Sequence, residues 1–148
     1  MRFATNRRLG AIGGLAAAAL VCVPLAGCGG SKAHASARRT YAVNERDFQI
    51  EAPASLAPGK VTFDVDNDGA TYHELIIAPA PHGTLPLRPD GITVDEEAVE
   101  ASEPGSLEPG APGSRRTLSV DLAPGHYIFF CNMEGHYMAG MHQEVVVR

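Results

Sequence analysis

The chain has 148 residues, a length that suits one domain, and 45% of them are hydrophobic. Its 17 acidic residues outnumber its 12 Lys and Arg residues, which gives a formal net charge of −5 at pH 7. This balance argues against nucleic acid as a partner, because the phosphate backbone attracts basic proteins.

Residues 1–27 have the pattern of a secretory signal peptide. Arg2, Arg7 and Arg8 make a basic start, and an apolar stretch follows from Leu9 to about Val23. This stretch is shorter than the ~20 residues that a membrane-spanning helix needs, so we predict a signal rather than a membrane span. The pattern leaves open whether export follows the general secretory route or the twin-arginine route.

The segment Leu25-Ala26-Gly27-Cys28 resembles the lipobox of bacterial lipoproteins. The resemblance implies that Cys28 is lipidated and becomes the first residue of the mature chain. The alternative is an ordinary signal peptide with an unmodified Cys28. Removal of residues 1–27 would take away three basic residues and leave a formal charge of −8.

Cys131 is the thiol that needs an explanation. Cys22 would leave with the signal and Cys28 would carry lipid, so the mature fold would keep this single cysteine. A lone thiol in an oxidising compartment is a liability unless it is buried or bound to a metal.

The composition divides the mature chain into a tether and one domain. Residues 28–44 are small and polar, which predicts a flexible tether, and residues 45–148 form the predicted domain. Within the domain, residues 79–116 are rich in Pro and Gly and read as a long loop or insertion. Residues 94–100 within it predict one or two helical turns.

Several short segments of the domain have strand character and end at Pro or Gly turns. Apolar and polar residues alternate over 61–65 and 118–122, and further candidates are 72–78, 126–131 and 144–147. No long amphipathic helix is evident. These features predict an all-β fold, namely an antiparallel β-sandwich.

A loop near the C-terminus brings three potential metal ligands together. Cys131, His136 and Met141 are each separated by four residues, and Gly135 and Gly140 allow the loop to curl. Two imidazoles, one thiolate and a weak axial thioether form the ligand set of blue-copper electron-transfer sites.

The second imidazole must come from elsewhere, and His73 is the candidate. It has the parity of Leu75 and Ile77 on its strand, which places it on the expected core face. Other residues are weaker candidates for this second imidazole and for the axial thioether. They are His82, His126 and His142 for the imidazole, and Met133 and Met138 for the thioether.

The segment Gly125-His126-Tyr127-Ile128-Phe129-Phe130-Cys131, followed by Gly135-His136 and Gly140-Met141, resembles the copper loop of the cupredoxins, the plastocyanin and azurin superfamily. The ligand spacing is similar to that of rusticyanin and sulfocyanin. The resemblance covers residues 45–148 and implies a Greek-key sandwich with one type 1 copper, bound by His73, Cys131, His136 and Met141. Glu74 stands where many family members have Asn, and Glu74 and Asn132 are the expected hydrogen-bonding neighbours of the ligands.

The resemblance implies a single-electron carrier and not an enzyme. With the lipobox, it predicts a monomer that is lipid-anchored to the outer face of the cell membrane or periplasmic, with membrane-bound respiratory redox proteins as its partners. The alternative is an extracytoplasmic lipoprotein that handles or stores copper. A copper oxidase would need a second cluster of histidines, which this sequence lacks.

Overall fold

The computed structural model describes residues 39–148, which form two packed β-sheets. The first sheet has the strand order β2-β1-β4-β7, and the second has the order β3-β9-β8-β5-β6. The strands are β1 (Arg39–Arg46), β2 (Gln49–Glu51), β3 (Ser55–Leu56), β4 (Gly59–Asn67), β5 (His73–Pro79), β6 (Gly105–Gly110), β7 (Arg115–Leu122), β8 (Gly125–Phe130) and β9 (His142–Val147), and one short helix is α1 (Glu96–Glu100).

The prediction of an all-β sandwich is confirmed, although both sheets are mixed. Most neighbouring strands are antiparallel, but β1 runs parallel to β4 and β3 runs parallel to β9. After β1 and β2 the chain passes into the second sheet as β3 and then returns to the first sheet as β4. Because β1 and β4 are joined by this crossover and not by a hairpin, they can pair in parallel.

Alternating side chains fill the space between the sheets. On β4, Val61, Phe63 and Val65 are buried, as the two-residue period predicts. Phe63 meets Phe129 of β8 edge to face, with ring centroids 5.2 Å apart. Burial of such rings, at roughly 25 cal/mol per Å² of apolar surface, is a main source of stability.

Strand β1 begins at Arg39, so the segment predicted as a tether is already sheet structure from that residue onward. Val43 is buried in the core and Tyr41 packs against it, while residues 39–45 of the strand pair with β4. On this strand the apolar Ala42 is exposed and the charged Glu45 is buried, so the two-residue alternation of burial is not apparent from the sequence. The predicted signal peptide, Cys28 and residues 28–38 of the predicted tether lie outside the described residues.

The predicted insertion, 79–116, contains helix α1 and strand β6 and covers the outer face of the second sheet. Val94 and Val99 of this segment form a second apolar cluster with Ile76, Ile128 and Phe130. Strands β5 and β8 are therefore buried on both faces, which explains their continuous apolar runs.

At one end of the sandwich the interior becomes polar. Glu45 of β1 is fully buried and forms an ion pair with Arg116 of β7. Arg116 also donates a hydrogen bond to the carbonyl oxygen of Glu108 on β6, which links the two sheets. Asn67 is buried at the same end and donates to the carbonyl oxygens of Thr71 and Gly110.

Among residues 39–148, no helix has the length and apolar character needed to cross a membrane.

Candidate metal centre

Three potential ligands converge at the polar end of the sandwich. One donor atom each from His73, Cys131 and His136 lies within 4.8 Å of the other two. This is the one cluster of its kind within the part of the chain that the structure describes. His73 and Cys131 are fully buried, whereas His136 is partly exposed.

His73 is the first residue of β5 and Cys131 directly follows β8, and both strands belong to the second sheet. Leu75, Ile77 and Phe129 belong to the core between the sheets, together with Cys131, which confirms the parity expected for Cys131. His73 is fully buried and has a donor atom within 4.8 Å of one on Cys131, which agrees with the parity expected for His73. Ile76 and Phe130 point to the opposite face.

The loop between β8 and β9 supplies His136 and encloses the site. Its turns are closed by backbone hydrogen bonds, including His136 N–H to the carbonyl oxygen of Met133 at 2.8 Å. Gly135 and Gly140 have φ angles of 79° and 106°, conformations that L side chains rarely adopt. The curl expected from these two glycines is therefore present, and it leaves Nδ1 of His136 3.5 Å from the sulfur of Cys131.

Met141 closes the same loop at its far end. Its N–H donates to the carbonyl oxygen of His136, and its own carbonyl accepts the N–H of Cys131. The Met141 side chain is fully buried in the core cluster that contains Cys131. These positions are those of a type 1 copper ligand set, with two imidazoles, a thiolate and a thioether.

The rival residues lie elsewhere. His82, His126 and His142 are exposed and are not among the three clustered donors. The Met138 side chain is 54% exposed, and Met133 is partly buried against the core.

Cys131 is held as a neutral thiol in the metal-free protein. Burial raises its pKa to about 11, against the opposing effect of backbone N–H groups of Glu74 and Met133 that donate to the sulfur. Metal binding would therefore displace a proton from this thiol, because the thiolate is the ligand form.

His73 has a free nitrogen that faces the site. Its Nε2 lies 3.0 Å from Oδ1 of Asp47, while its buried Nδ1 has no hydrogen-bond partner in the described structure. A buried polar atom without a partner is unusual, and a metal would satisfy it. Burial lowers the pKa of His73, which favours the neutral imidazole that binds metals.

Glu74 and Asn132 are neighbours of the ligands and are joined to each other. Oε1 of Glu74 accepts the backbone N–H of Asn132 at 3.0 Å. The Asn132 side chain then bonds both the N–H and the carbonyl of Val94, and donates to Glu96. Glu74 thus braces the loop where many cupredoxins have Asn, and burial raises the pKa of its carboxyl.

Two residues near the site were missed by the sequence interpretation. Asp47 and Phe48 occupy the two-residue turn between β1 and β2. Asp47 contacts the imidazole of His73, and Phe48 contacts that of His136. The Phe48 ring meets the His136 ring edge on, with centroids 5.4 Å apart. The signal in the sequence was weak, because Asp-Phe is not a typical turn pair and Phe48 has the unusual φ of 63°.

No family model matches the sequence, and no curated protein matches it either. Solved structures do match the fold. Reduced auracyanin from the photosynthetic bacterium Roseiflexus castenholzii is 20% identical with a TM-score of 0.56, over 74% of this chain and 96% of that one. Auracyanin A, a "blue" copper protein from Chloroflexus aurantiacus, is 17% identical with a TM-score of 0.55, over 74% and 98% of the two chains.

An azurin from the obligate methylotroph Methylomonas sp. strain J has the same fold. It is 13% identical, with a TM-score of 0.54, over 74% of this chain and 98% of that chain.

Proposed function

We propose that this chain, which has the cupredoxin fold, is a type 1 copper protein that carries single electrons. The observation that carries the proposal is the convergence of His73, Cys131 and His136 donors within 4.8 Å of one another, with Met141 buried beside them. When bound, copper would supply a one-electron couple. All four ligands would come from the protein, so a substrate would have no open position at the metal.

The exposure of the ligands suggests where electrons pass. His73, Cys131 and Met141 are buried, and His136 is the ligand that reaches the surface. Phe48, in the turn between β1 and β2, has an exposed side chain that contacts His136. Met138, two residues after His136, is also exposed. A small apolar surface around His136 suits transient redox complexes, which bury less than ~1,200 Å² in total.

We also propose that the protein is tethered to the outer face of the cell membrane through lipid on Cys28, and that it serves membrane-bound redox partners. The basis is the basic and apolar start of the chain and the resemblance of residues 25–28 to a lipobox. A tether would raise the effective concentration of the carrier near such partners.

The copper proposal is tested with visible and EPR spectra of the full chain, purified in detergent and titrated with Cu(II). We expect an intense blue thiolate-to-copper band and narrow copper hyperfine splitting. Cys131→Ser should abolish both, and Met138→Leu, which changes an exposed thioether, should leave both unchanged. A colourless protein that binds only Cu(I) would contradict electron transfer and support copper handling.

The anchor is tested by expression of the wild-type chain and Cys28→Ser with a radiolabelled fatty acid. We expect label and membrane association in the wild type and neither in the variant. A wild-type protein without label would overturn the anchor while leaving the copper proposal intact.

A further inference from the structure

The carboxylate of Asp47 contacts a ligand on the side away from the metal position. Asp47 lies in the turn between β1 and β2, in the first sheet, whereas His73 belongs to the second sheet. Oδ1 of Asp47 is 3.0 Å from Nε2 of His73. The contact therefore joins the two sheets at the site and does not belong to the loop that carries the other ligands.

This contact selects one tautomer of the imidazole. A carboxylate can only accept a hydrogen bond, so Nε2 of His73 must carry the proton. The lone pair of the neutral ring is then on Nδ1, which is the buried atom without a partner. The carboxylate thus determines which nitrogen is available to a metal.

Asp47 is itself held in place. It accepts hydrogen bonds from the N–H groups of Ala70 and Thr71 and from the Thr71 hydroxyl, at 2.9–3.2 Å. The loop that supplies these donors is anchored by the buried Asn67, which accepts the N–H of Gly69 and donates to the Thr71 carbonyl. An exposed carboxylate with this many donors has a defined position, and its position fixes the His73 ring.

We propose that Asp47 is a positioning residue for the metal centre, which holds His73 in the Nε2–H tautomer and adds a negative charge behind this ligand. The inference rests on the proposed copper function. The charge stabilises the more positive oxidised ion, so Asp47 lowers the reduction potential. Because Asp47 is at the surface, salt weakens this effect.

Three variants of the full chain separate the two roles. Asp47→Ala removes the acceptor and the charge, whereas Asp47→Asn keeps an acceptor oxygen and removes only the charge. Asp90→Asn is the matched control, since Asp90 is also exposed and accepts hydrogen bonds from Ile92 and Thr93 but makes none to a ligand. Circular dichroism establishes that each variant is folded.

The first measurement uses metal-free protein and two-bond ¹H–¹⁵N correlation spectra of the histidine rings. We expect His73 to be the Nε2–H tautomer in the wild type, in Asp47→Asn and in Asp90→Asn, and to become a mixture in Asp47→Ala. An unchanged tautomer in folded Asp47→Ala would overturn the positioning role.

The second measurement is made on the copper form. We expect Asp47→Ala to weaken Cu(II) binding by about 10–100-fold, the usual effect of losing a partner of a ligating histidine. Asp47→Asn should raise the reduction potential, more at low salt than at high salt, whereas Asp90→Asn should not. Equal potentials in all proteins would contradict the charge effect. A wild type that forms no blue site would contradict the proposed function, and the metal-free spectra would still decide whether Asp47 fixes His73.

Discussion

The side-chain amide of Asn132 bonds Val94 as a neighbouring strand would: the Val94 N–H donates to Oδ1 at 2.6 Å, and Nδ2 donates to the Val94 carbonyl at 3.0 Å. Asn132 directly follows Cys131, and Val94 belongs to the segment over the outer face of the second sheet. These two hydrogen bonds therefore join the insertion to the ligand loop.

We predict that Asn132→Ala lowers the free energy of unfolding by roughly 1–3 kcal/mol, because it leaves the buried backbone groups of Val94 without partners. Urea unfolding of the metal-free protein measures the change. Asn44→Ala is the control, since Asn44 makes no side-chain hydrogen bond within residues 39–148, and its effect should be small. Equal effects of the two changes would contradict the role of Asn132.

Gly69 is required by a close approach to the His73 and Asp47 pair. A Cβ atom at this position would lie 2.5 Å from Nε2 of His73 and 2.9 Å from Oδ1 of Asp47. We predict that Gly69→Ala costs about 1–3 kcal/mol of stability and displaces the His73 ring. Thermal unfolding and the His73 side-chain NMR signals measure these effects. Gly125→Ala, whose Cβ would have only an ordinary contact at 3.6 Å, should not move the His73 signals.

The buried thiol predicts a loss of stability at high pH in the metal-free protein. An unfolded Cys131 ionises at its usual pKa, whereas the folded thiol stays neutral up to about 11. The unfolded state thus binds fewer protons in this interval, and the free energy of unfolding falls as the pH rises from about 9 to about 11. We expect a decrease of about 2 kcal/mol over this interval. Urea unfolding at both pH values tests this, and the decrease should be smaller in Cys131→Ser, which has no thiol to ionise.

The Glu45 and Arg116 pair should behave as a buried ion pair. Burial raises the pKa of Glu45, and the guanidinium of Arg116 opposes that rise. We predict that Glu45→Leu or Arg116→Leu alone costs about 3–5 kcal/mol, because each leaves an uncompensated charge. The double variant should cost less than the sum of the two.

The ion pair of the exposed Arg115 and the partly exposed Asp66, 3.0 Å apart, is the control for this cycle. Its loss in Arg115→Leu should cost at most about 1 kcal/mol. Additive effects of Glu45→Leu and Arg116→Leu in urea unfolding would show that the buried pair does not act as a unit.

Phe48 covers part of His136 from a backbone conformation that favours Gly or Asn. We predict that Phe48→Asn leaves the protein folded, since relief of the backbone offsets the lost contact, and that it exposes the His136 ring. Acylation of His136 by diethyl pyrocarbonate should become several-fold faster in the metal-free protein. His126 is exposed and lies far along the chain from Phe48. Its rate of acylation, measured in the same protein digest, is therefore the internal standard.

The main strands and the ligand loop could be predicted because their signals are local. Alternation on β4 and β7 reflects one buried face of each strand, and the spacing of Cys131, His136 and Met141 lies within eleven consecutive residues. Parity alone was enough to place His73 on the core face. Strands β1 and β6 were missed, since their polar and Pro-containing sequences show their role only when they pair with β4 and β5. Strands β2 and β3 were also missed, since three and two residues are too few to show a period.

By itself, the sequence determined the all-β class, the donor residues and the turns of the ligand loop, because these depend on residue type and on spacing along the chain. Tertiary structure decided what surrounds the donors. Asp47 reaches His73 across 26 residues, and Asn132 reaches Val94 across 38. Such contacts depend on strand register and on how one sheet lies against the other, and a shift of one residue would turn each side chain to the opposite face.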